Sequence, residues 1–276
     1  MNGEPTYFVC GIDDCKGTQQ NDSQFLTKYF ELGWEVATTY FYAIHLKKRG
    51  LIEDCDTIVT CSGREFLYQS NFRNVISWSS LQNLNSKVVV SLVGKTLNGD
   101  FNSYYDSNGF YKYLIQDREL LKNFSAKNID HLRQNEPFNV IVYRSRSHCD
   151  SRNTTADLIR SYIKLSNKHF KTFVVGHGSE IFEEAIKINL QEYCSLISDP
   201  LCHMICTPQT GLVVLARIFS QAKLILNYSV DGDFPKGNHH IINGYPEFFI
   251  QSKILKINRP PNLEEFTKAM YNYSLC

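Results

Sequence analysis

The sequence lacks the features that mark several large classes of protein. Its 276 residues contain no apolar run approaching the roughly 18 to 20 residues that a membrane-spanning helix needs. The first residues, MNGEPTYFVCGIDD, carry neither a basic segment nor a long apolar core, so we expect no signal peptide. With a net charge of +1, no global field attracts nucleic acid or anionic membrane. We therefore expect a cytoplasmic protein with no transmembrane segment and no nucleic-acid partner.

Several nucleotide and metal motifs are also missing. Neither GxGxxG nor GxxxxGK[ST] occurs, which disfavours a dinucleotide-binding enzyme and a P-loop NTPase. The nine cysteines include no CxxC pair, so a structural zinc site is not expected. Cys10, Cys61 and Cys206 stand in apolar runs, where a reduced thiol behaves as a small hydrophobic group. This usage favours a reducing compartment.

What the sequence does contain is a repeated alternation of apolar strands and helical stretches. Strands that are apolar on both faces indicate a parallel sheet covered on both sides, hence an α/β protein. We predict two α/β halves, residues 1–135 with a connector rich in Asn, Tyr, Lys and Asp, and residues 136–276. In the first half, the predicted strands are Thr6–Ile12, Thr57–Cys61, Asn74–Trp78 and Lys87–Val93, and the predicted helices are Gln24–Gly33, Val36–Leu46 and Tyr113–Phe124.

The second half repeats the alternation. Its predicted strands are Phe138–Tyr143, Phe170–Val175, Tyr193–Ile197, His203–Cys206 and Ala222–Val230. Its predicted helices are Ala156–Ser166, Ile181–Leu190, Leu212–Gln221 and Leu263–Tyr273.

The stretch from His203 to Asp233 organises this half, because a polar turn there stands between a strand and an apolar helix. In that turn, Thr207, Gln209 and Thr210 offer hydroxyl and amide groups beside the free N–H groups that open a helix, and Gly211 permits close approach of a ligand. The turn is therefore a candidate anion site. The alternative is an ordinary Thr-capped turn, which any α/β protein needs.

An arginine-rich loop precedes the first helix of the second half. Arg144, Arg146 and Arg152 lie between a predicted strand and that helix, and guanidinium groups offer forked donors to phosphate. We favour a phosphate site shared by this loop and the Thr207–Gly211 turn over a solvated basic loop. His177, in the Gly-His-Gly sequence after a strand, is a further candidate contact to the phosphate or sugar, or an incidental residue of a glycine-rich turn.

Three other sets of residues carry potential chemistry. Asp13 and Asp14 follow the first strand, where open α/β sheets bind ligands, and one of them is a candidate general base or part of an exposed turn. Asp231 and Asp233 form an Asp-x-Asp pattern that can hold a divalent ion, although such a short pattern is frequent by chance. The adjacent residues His239 and His240 have no partner spacing that supports a metal site.

The sequence CTPQTGLVVLA at Cys206–Ala216 resembles the donor-site motif of GT-B glycosyltransferases. It is similar to the heptosyltransferase pattern in which a Thr-Gly-Leu turn precedes His-Leu-Ala on the helix. Val214 replaces the family's His, so that contact is not carried over. The matching positions are Thr210, Gly211, Leu212, Leu215 and Ala216. The compact size and Asn-, Tyr- and Lys-rich composition also resemble small glycosyltransferases of large DNA viruses of algae.

This resemblance implies two Rossmann-like domains facing each other across a cleft, with the donor held by the second and the last helix packing back on the first. It implies a glycosyltransferase that moves a sugar from a nucleotide diphosphate sugar, with UDP favoured, to a glycan hydroxyl. Asp13 or Asp14 is then the base of an inverting reaction, and no metal or other cofactor is required. Two alternatives stay open: a metal-dependent GT-A-type transferase that uses Asp231 and Asp233, and a non-catalytic two-lobed nucleotide- or sugar-binding protein.

Overall fold

The computed structural model describes residues 5–11, 32, 35–84, 88–92, 129–132, 135–145, 153–208, 210–227, 254–257 and 267. The chain divides into two compact units, Met1–Ala126 and Lys127–Cys276. The boundary predicted from the sequence, after residue 135, lies nine residues beyond this division.

The first unit contains a parallel sheet. In the described residues its strands are β1 (Thr6–Val9), β2 (Thr57–Thr60), β3 (Asn74–Ser77) and β4 (Val88–Ser91), in the order β3-β2-β1-β4. All pairings are parallel, with Phe8 of β1 opposite both Ile58 and Val90. The four predicted strands are thus confirmed, each shorter than its apolar run. Each apolar run extends beyond the residues that pair in the hydrogen-bonded ladder.

The helical stretch predicted over Val36–Leu46 begins in an unusual way. A π-helical turn, Glu35–Thr39, leads directly into helix α1 (Tyr40–Lys48). Six side chains of α1 are buried, and the Tyr40 ring lies 5.1 Å from the Tyr68 ring, centroid to centroid. Because α1 is apolar almost all round, burial rather than an amphipathic stripe fixes its position. A five-residue helix, α2 (Trp78–Gln82), follows β3, and Ser77 caps it by accepting from the Ser80 N–H.

The second unit contains a second parallel sheet. Its described strands are β5 (Phe138–Arg144), β6 (Lys171–His177), β7 (Cys202–Pro208), β8 (Lys223–Asn227) and β9 (Ile254–Ile257), in the order β6-β5-β7-β8-β9. Helices α3 (Ala156–Ser166), α4 (Leu190–Ser198) and α5 (Gly211–Phe219) lie between β5 and β6, β6 and β7, and β7 and β8 along the chain. Every side chain of β5 is buried, as expected for a central strand covered on both faces. Cys206 of β7 is also buried, which raises the pKa of its thiol to about 12 and keeps it protonated.

Two predicted elements of this unit are wrong. Ile181–Leu190 is not a helix: after a 3-10 turn, Ser179–Ile181, the chain runs beside β6, where Val174 donates to the Glu184 carbonyl at 3.0 Å and accepts from Ile186 N–H at 3.0 Å. Tyr193–Ile197 is not a strand, because it lies inside α4. The apolar periodicity of this stretch suits either structure. Asn189 and Glu192 decide the matter by forming a reciprocal capping box at the start of α4.

Three predicted helices fall largely outside the described residues. Leu32 is the described residue of Gln24–Gly33 and is helical, as is Thr267 of Leu263–Tyr273, while Tyr113–Phe124 is not described at all. None of the described helices is both long enough and apolar enough to cross a membrane.

The capping box of α4 gives a test of this corrected fold. The Asn189 side chain accepts from the Glu192 N–H at 2.9 Å, and the Glu192 carboxylate accepts from the Asn189 N–H at 2.8 Å. We expect Asn189→Ala to lower the free energy of unfolding by about 1 kcal/mol in urea titrations, because it leaves a helix-opening N–H without its partner. Asn189→Ser keeps an acceptor at the same position and is the matched control. Equal stability of the two variants would contradict the cap.

Candidate functional site

The carboxyl edge of the second sheet is where its topology opens a crevice. From β5 the chain crosses through α3 to β6 on one side, whereas β7, β8 and β9 lie on the other side. Ligands of open α/β sheets bind at the carboxyl ends of the strands, where the strand order reverses in this way. That point lies between β5 and β7, and so the residues at the ends of these two strands are the first to consider.

The turn from β7 to α5 forms one side of this point. Thr210 is the N-cap of α5, and its hydroxyl oxygen accepts from the Leu212 N–H at 3.2 Å. The helix begins at Gly211, one residue earlier than predicted. Its buried residues Val213 and Leu215 anchor it to the core, so the partially positive start of the helix is held at the sheet edge.

Thr207, also predicted to contact a ligand, is fully buried. Its hydroxyl donates to the Pro208 carbonyl at 2.9 Å, which gives it a partner inside the turn. Gln209 lies outside the described residues.

Arg144 forms the other side of the point, as the last residue of β5. It is 6% exposed, and its Nη1 donates to Oδ1 of Asn153. This contact ties the strand end to the segment that leads into α3 and fixes a guanidinium beside the crevice. Arg146 and Arg152, the other arginines of the predicted phosphate loop, lie outside the described residues.

His177 is brought to the same edge by β6. It is the register partner of Arg144, and its side chain is exposed. The glycines around it have positive φ, 110° at Gly176 and 83° at Gly178, and the His177 carbonyl accepts from Ser145 N–H at 3.1 Å. A β-carbon on Gly176 would stand 2.3 Å from the Tyr143 carbonyl oxygen, so the turn that presents His177 requires glycine there.

The structure therefore brings Arg144, His177 and the Thr210–Gly211 helix start to one edge. A partially positive helix end and a fixed guanidinium together suit an anionic, phosphate-like ligand. Asp231, Asp233, His239 and His240 lie outside the described residues.

The first unit has a corresponding crevice between β1 and β4, since β2 and β3 lie on the other side of β1. The chain that leaves β1 is described as far as Gly11. Asp13 and Asp14, the predicted bases, lie just beyond, outside the described residues. Their position after β1 is therefore a property of the sequence alone.

Beside this exit from β1 is a group that sequence reasoning missed, the fully buried carboxylate of Glu35. It accepts hydrogen bonds from the Thr60 hydroxyl, from the Tyr68 hydroxyl at 3.0 Å and from Arg64, with which it forms an ion pair. We refer to these four residues as the Glu35 network. No local pattern marks Glu35, which reads as an acidic residue at the start of a helix.

The Glu35 carboxylate changes the pKa values of two groups around it. Burial raises the pKa of Tyr68, and the nearby Glu35 carboxylate raises it further. Burial alone would lower the pKa of Arg64, but its attraction to Glu35 raises that pKa above the ordinary value. Both directions follow from the position of the carboxylate beside the Tyr68 hydroxyl and the Arg64 guanidinium.

Comparison with known proteins supports the fold but not a family assignment. No protein-family model matches the sequence, and no curated protein has significant sequence similarity to it. Among solved structures, the chain is similar to a family 9 glycosyl transferase from Veillonella parvula DSM 2008, with a TM-score of 0.55, 10% identity and coverage of 100% of this chain and 99% of that one. It is also similar to E. coli ADP-heptose LPS heptosyltransferase II, with a TM-score of 0.53, 9% identity and coverage of 98% and 99%.

A third structure, the iron-containing dodecameric glycosyltransferase TibC from enterotoxigenic E. coli, matches with a TM-score of 0.49 and 11% identity. This chain spans 60% of the length of TibC. The two full-length matches define the class of fold: the chain is an α/β protein with the parallel sheets of a GT-B-like glycosyltransferase. Both of these proteins are bacterial and lend the viral resemblance no support.

The glycine turn at His177 gives a test of the site's geometry. We expect Gly176→Ala to lower the free energy of unfolding by about 3 kcal/mol, because the new β-carbon meets backbone at a positive φ. Gly178→Ala is the comparison, since its β-carbon would meet only side-chain atoms, at 3.1 Å or more. It should cost about 1 kcal/mol, measured by the same urea titration. Equal losses would mean that the close approach of Gly176 to Tyr143 is absent.

Proposed function

We propose that this chain is a glycosyltransferase that transfers a sugar from a nucleotide diphosphate sugar to a glycan hydroxyl. The observation that carries the proposal is the placement of Arg144 at the end of β5 and of the Thr210-capped start of α5 after β7, the two strands that flank the switch point of the second sheet. The GT-B-like fold supports it, because proteins of that fold with this activity are among the structures that the chain resembles. Fold likeness alone does not define activity, so the site carries the greater weight.

In this proposal the second unit holds the donor diphosphate. The partially positive start of α5 and the Arg144 guanidinium lie at positions that can neutralise its negative charge. Because that charge grows on the diphosphate as the sugar leaves, donors fixed in advance stabilise the transition state more than the bound substrate. His177, exposed beside Arg144, is the candidate contact to the sugar or a phosphate oxygen.

The first unit supplies the base. Asp13 or Asp14 accepts the proton of the acceptor hydroxyl, and the freed oxygen attacks the anomeric carbon of the sugar. The bond from that carbon to the diphosphate oxygen breaks, and its electron pair leaves with the diphosphate. Attack opposite the leaving group inverts the anomeric centre. This chemistry needs no metal, because the helix end and the guanidinium supply the positive charge.

Two other functions make different predictions. A non-catalytic nucleotide- or sugar-binding protein would bind the same ligands without turnover. A metal-dependent transferase would use Asp231 and Asp233 and lose activity with a chelator, although the GT-B-like fold argues against its GT-A form. Since one matching structure is an ADP-heptose LPS heptosyltransferase, ADP stands beside UDP as a donor nucleotide to test.

A thermal-shift panel of UDP, ADP, GDP, CMP and dTDP, each with and without manganese or EDTA, tests the donor site. A ligand that binds only the folded protein raises the melting temperature, by about 5 to 10 °C at about 100 times its Kd. We expect one nucleoside diphosphate to give this shift, to give it equally in EDTA, and to lose it in Arg144→Ala.

Arg160→Ala is the matched control for that panel. Arg160 lies on α3 in the same unit, is exposed and pairs with Asp157 at 2.8 Å, so the variant removes an equal charge away from the sheet edge. It should keep the full shift. A shift that depends on manganese would favour the metal-dependent alternative, and no shift with any nucleotide would overturn the donor site.

The base is tested by kinetics of Asp13→Asn and Asp14→Asn in a transfer assay with the donor that the panel identifies. We expect one of the two variants to lower kcat by about 10² to 10⁴, because an amide cannot accept the acceptor proton. The melting-temperature shift with nucleotide should stay unchanged in both. If both variants keep full activity, neither aspartate is the base. Nucleotide binding without transfer in the unaltered protein would favour the non-catalytic alternative.

A further inference from the structure

The Glu35 network lies at the carboxyl edge of the first sheet. Thr60 ends β2, and Arg64 and Tyr68 belong to the segment that follows that strand. Glu35 itself comes from the π-helical turn that precedes α1. Its sequence separations from these three partners are 25, 29 and 33 residues, so the carboxylate joins segments distant in sequence. The site where they meet is the edge at which an open α/β sheet binds ligands.

The same turn also holds the exit from β1. The Thr39 hydroxyl, four residues after Glu35, lies 3.1 Å from the Cys10 carbonyl and 3.1 Å from the Glu35 carbonyl. Cys10 N–H donates to the Val59 carbonyl at 2.7 Å. The backbone leaving β1 is thus attached both to the π-helical turn and to β2.

Gly11 packs directly against the Glu35 carboxylate. A β-carbon at this position would stand 2.9 Å from each Glu35 oxygen and 2.9 Å from the Cys61 sulfur. Real β-carbons do not come so close to other atoms, so the carboxylate occupies space that only a glycine leaves open. Asp13 follows Gly11 by two residues. Glu35 therefore restricts the path of the backbone where it leaves β1, two residues before the first candidate base.

Stability alone is a poor reason for this arrangement. A buried ion pair loses the hydration of both charges, and apolar side chains of similar volume often serve a fold equally well. Titratable groups whose pKa values are perturbed by burial and a charged partner cluster at functional sites, and Tyr68 and Arg64 are such groups here. π-helical turns also occur frequently at functional sites.

We propose that Glu35 is a positioning residue for the acceptor half of the site, where its buried carboxylate fixes the exit from β1 through contacts with Thr60, Arg64 and Tyr68. The inference rests on the glycosyltransferase function proposed above. It assigns no contact with substrate to Glu35. Its effect on transfer passes through the backbone that leaves β1 at Cys10 and Gly11.

The decisive measurement separates kcat from donor affinity. In the full-length protein, Glu35→Gln keeps the side-chain shape but removes the charge that pairs with Arg64. We expect kcat for transfer to fall at least tenfold, while the KM for the donor and the Kd for its nucleoside diphosphate stay within twofold. Donor binding is spared because the donor residues belong to the second unit. Tyr68→Phe removes a single donor and should lower kcat by a smaller factor in the same direction.

A double variant guards against simple unfolding. Glu35→Leu with Arg64→Met removes both charges together, which should preserve folding while abolishing the network. We expect it to fold and to keep the low kcat. Ser166→Ala is the control. Ser166 belongs to another buried polar cluster, in which its hydroxyl oxygen lies 2.8 Å from the Asn139 amide nitrogen and 2.6 Å from the Thr172 hydroxyl. This cluster lies at the amino edge of the second sheet, away from the proposed donor site. It should lower the melting temperature without changing kcat.

The outcomes distinguish the two proposals. If the unaltered protein transfers sugar and the folded Glu35 variants have its kcat, the positioning role is wrong and the proposed function stands. A parallel loss of kcat and donor affinity that follows the melting temperature would mean that Glu35 only stabilises the fold, which also overturns the inference. If the unaltered protein binds nucleotide but transfers nothing, the proposed function fails and the positioning role fails with it.

Discussion

The parallel pairing of the strands is the constraint on which the rest of this structure depends. Parallel neighbours cannot be joined by tight hairpins, so each connection must cross over, and crossovers cover both faces of the sheet. All strands then end at the same edge, and their polar loops gather there. The chain could not place Arg144 and the start of α5 at the same sheet edge if β5 and β7 ran in opposite directions. The donor site proposed here therefore depends first on strand direction and only then on the identity of its side chains.

Much of this framework could be predicted from the sequence, because buried parallel strands are short apolar runs bounded by polar loops. That signal identified β1 to β8, and it placed Arg144, His177 and Thr210 at strand or helix ends. It failed between β6 and β7, where an apolar run fits a helix or an extended segment equally well. Hydrogen bonds decide such cases. The spacing of Asn189 and Glu192, three residues apart, is the capping-box pattern that marks the start of α4.

Glu35 shows where sequence reasoning stops. Its partners lie far along the chain, and nothing in the local sequence EVATTY separates a buried carboxylate from a solvated one at a helix start. Burial is decided by α1, whose aromatic side chains must all be covered and which draws the preceding turn into the core. Once buried, a carboxylate needs several donors, and only tertiary contacts can supply them. A single sequence without its fold cannot reveal such a group.

The donor site proposed at the second sheet and the Glu35 network at the first sheet differ in net charge. This difference fits the function proposed for each. At the edge of the second sheet, the partially positive start of α5 and the Arg144 guanidinium place positive charge at the carboxyl ends of β7 and β5. At the edge of the first sheet, Arg64 faces a carboxylate, and the pair is neutral as a whole. A neutral, tightly bonded pair is poorly suited to attract a diphosphate, but it can fix backbone. The electrostatics therefore favour donor binding at the second sheet and a positioning task for Glu35 at the first.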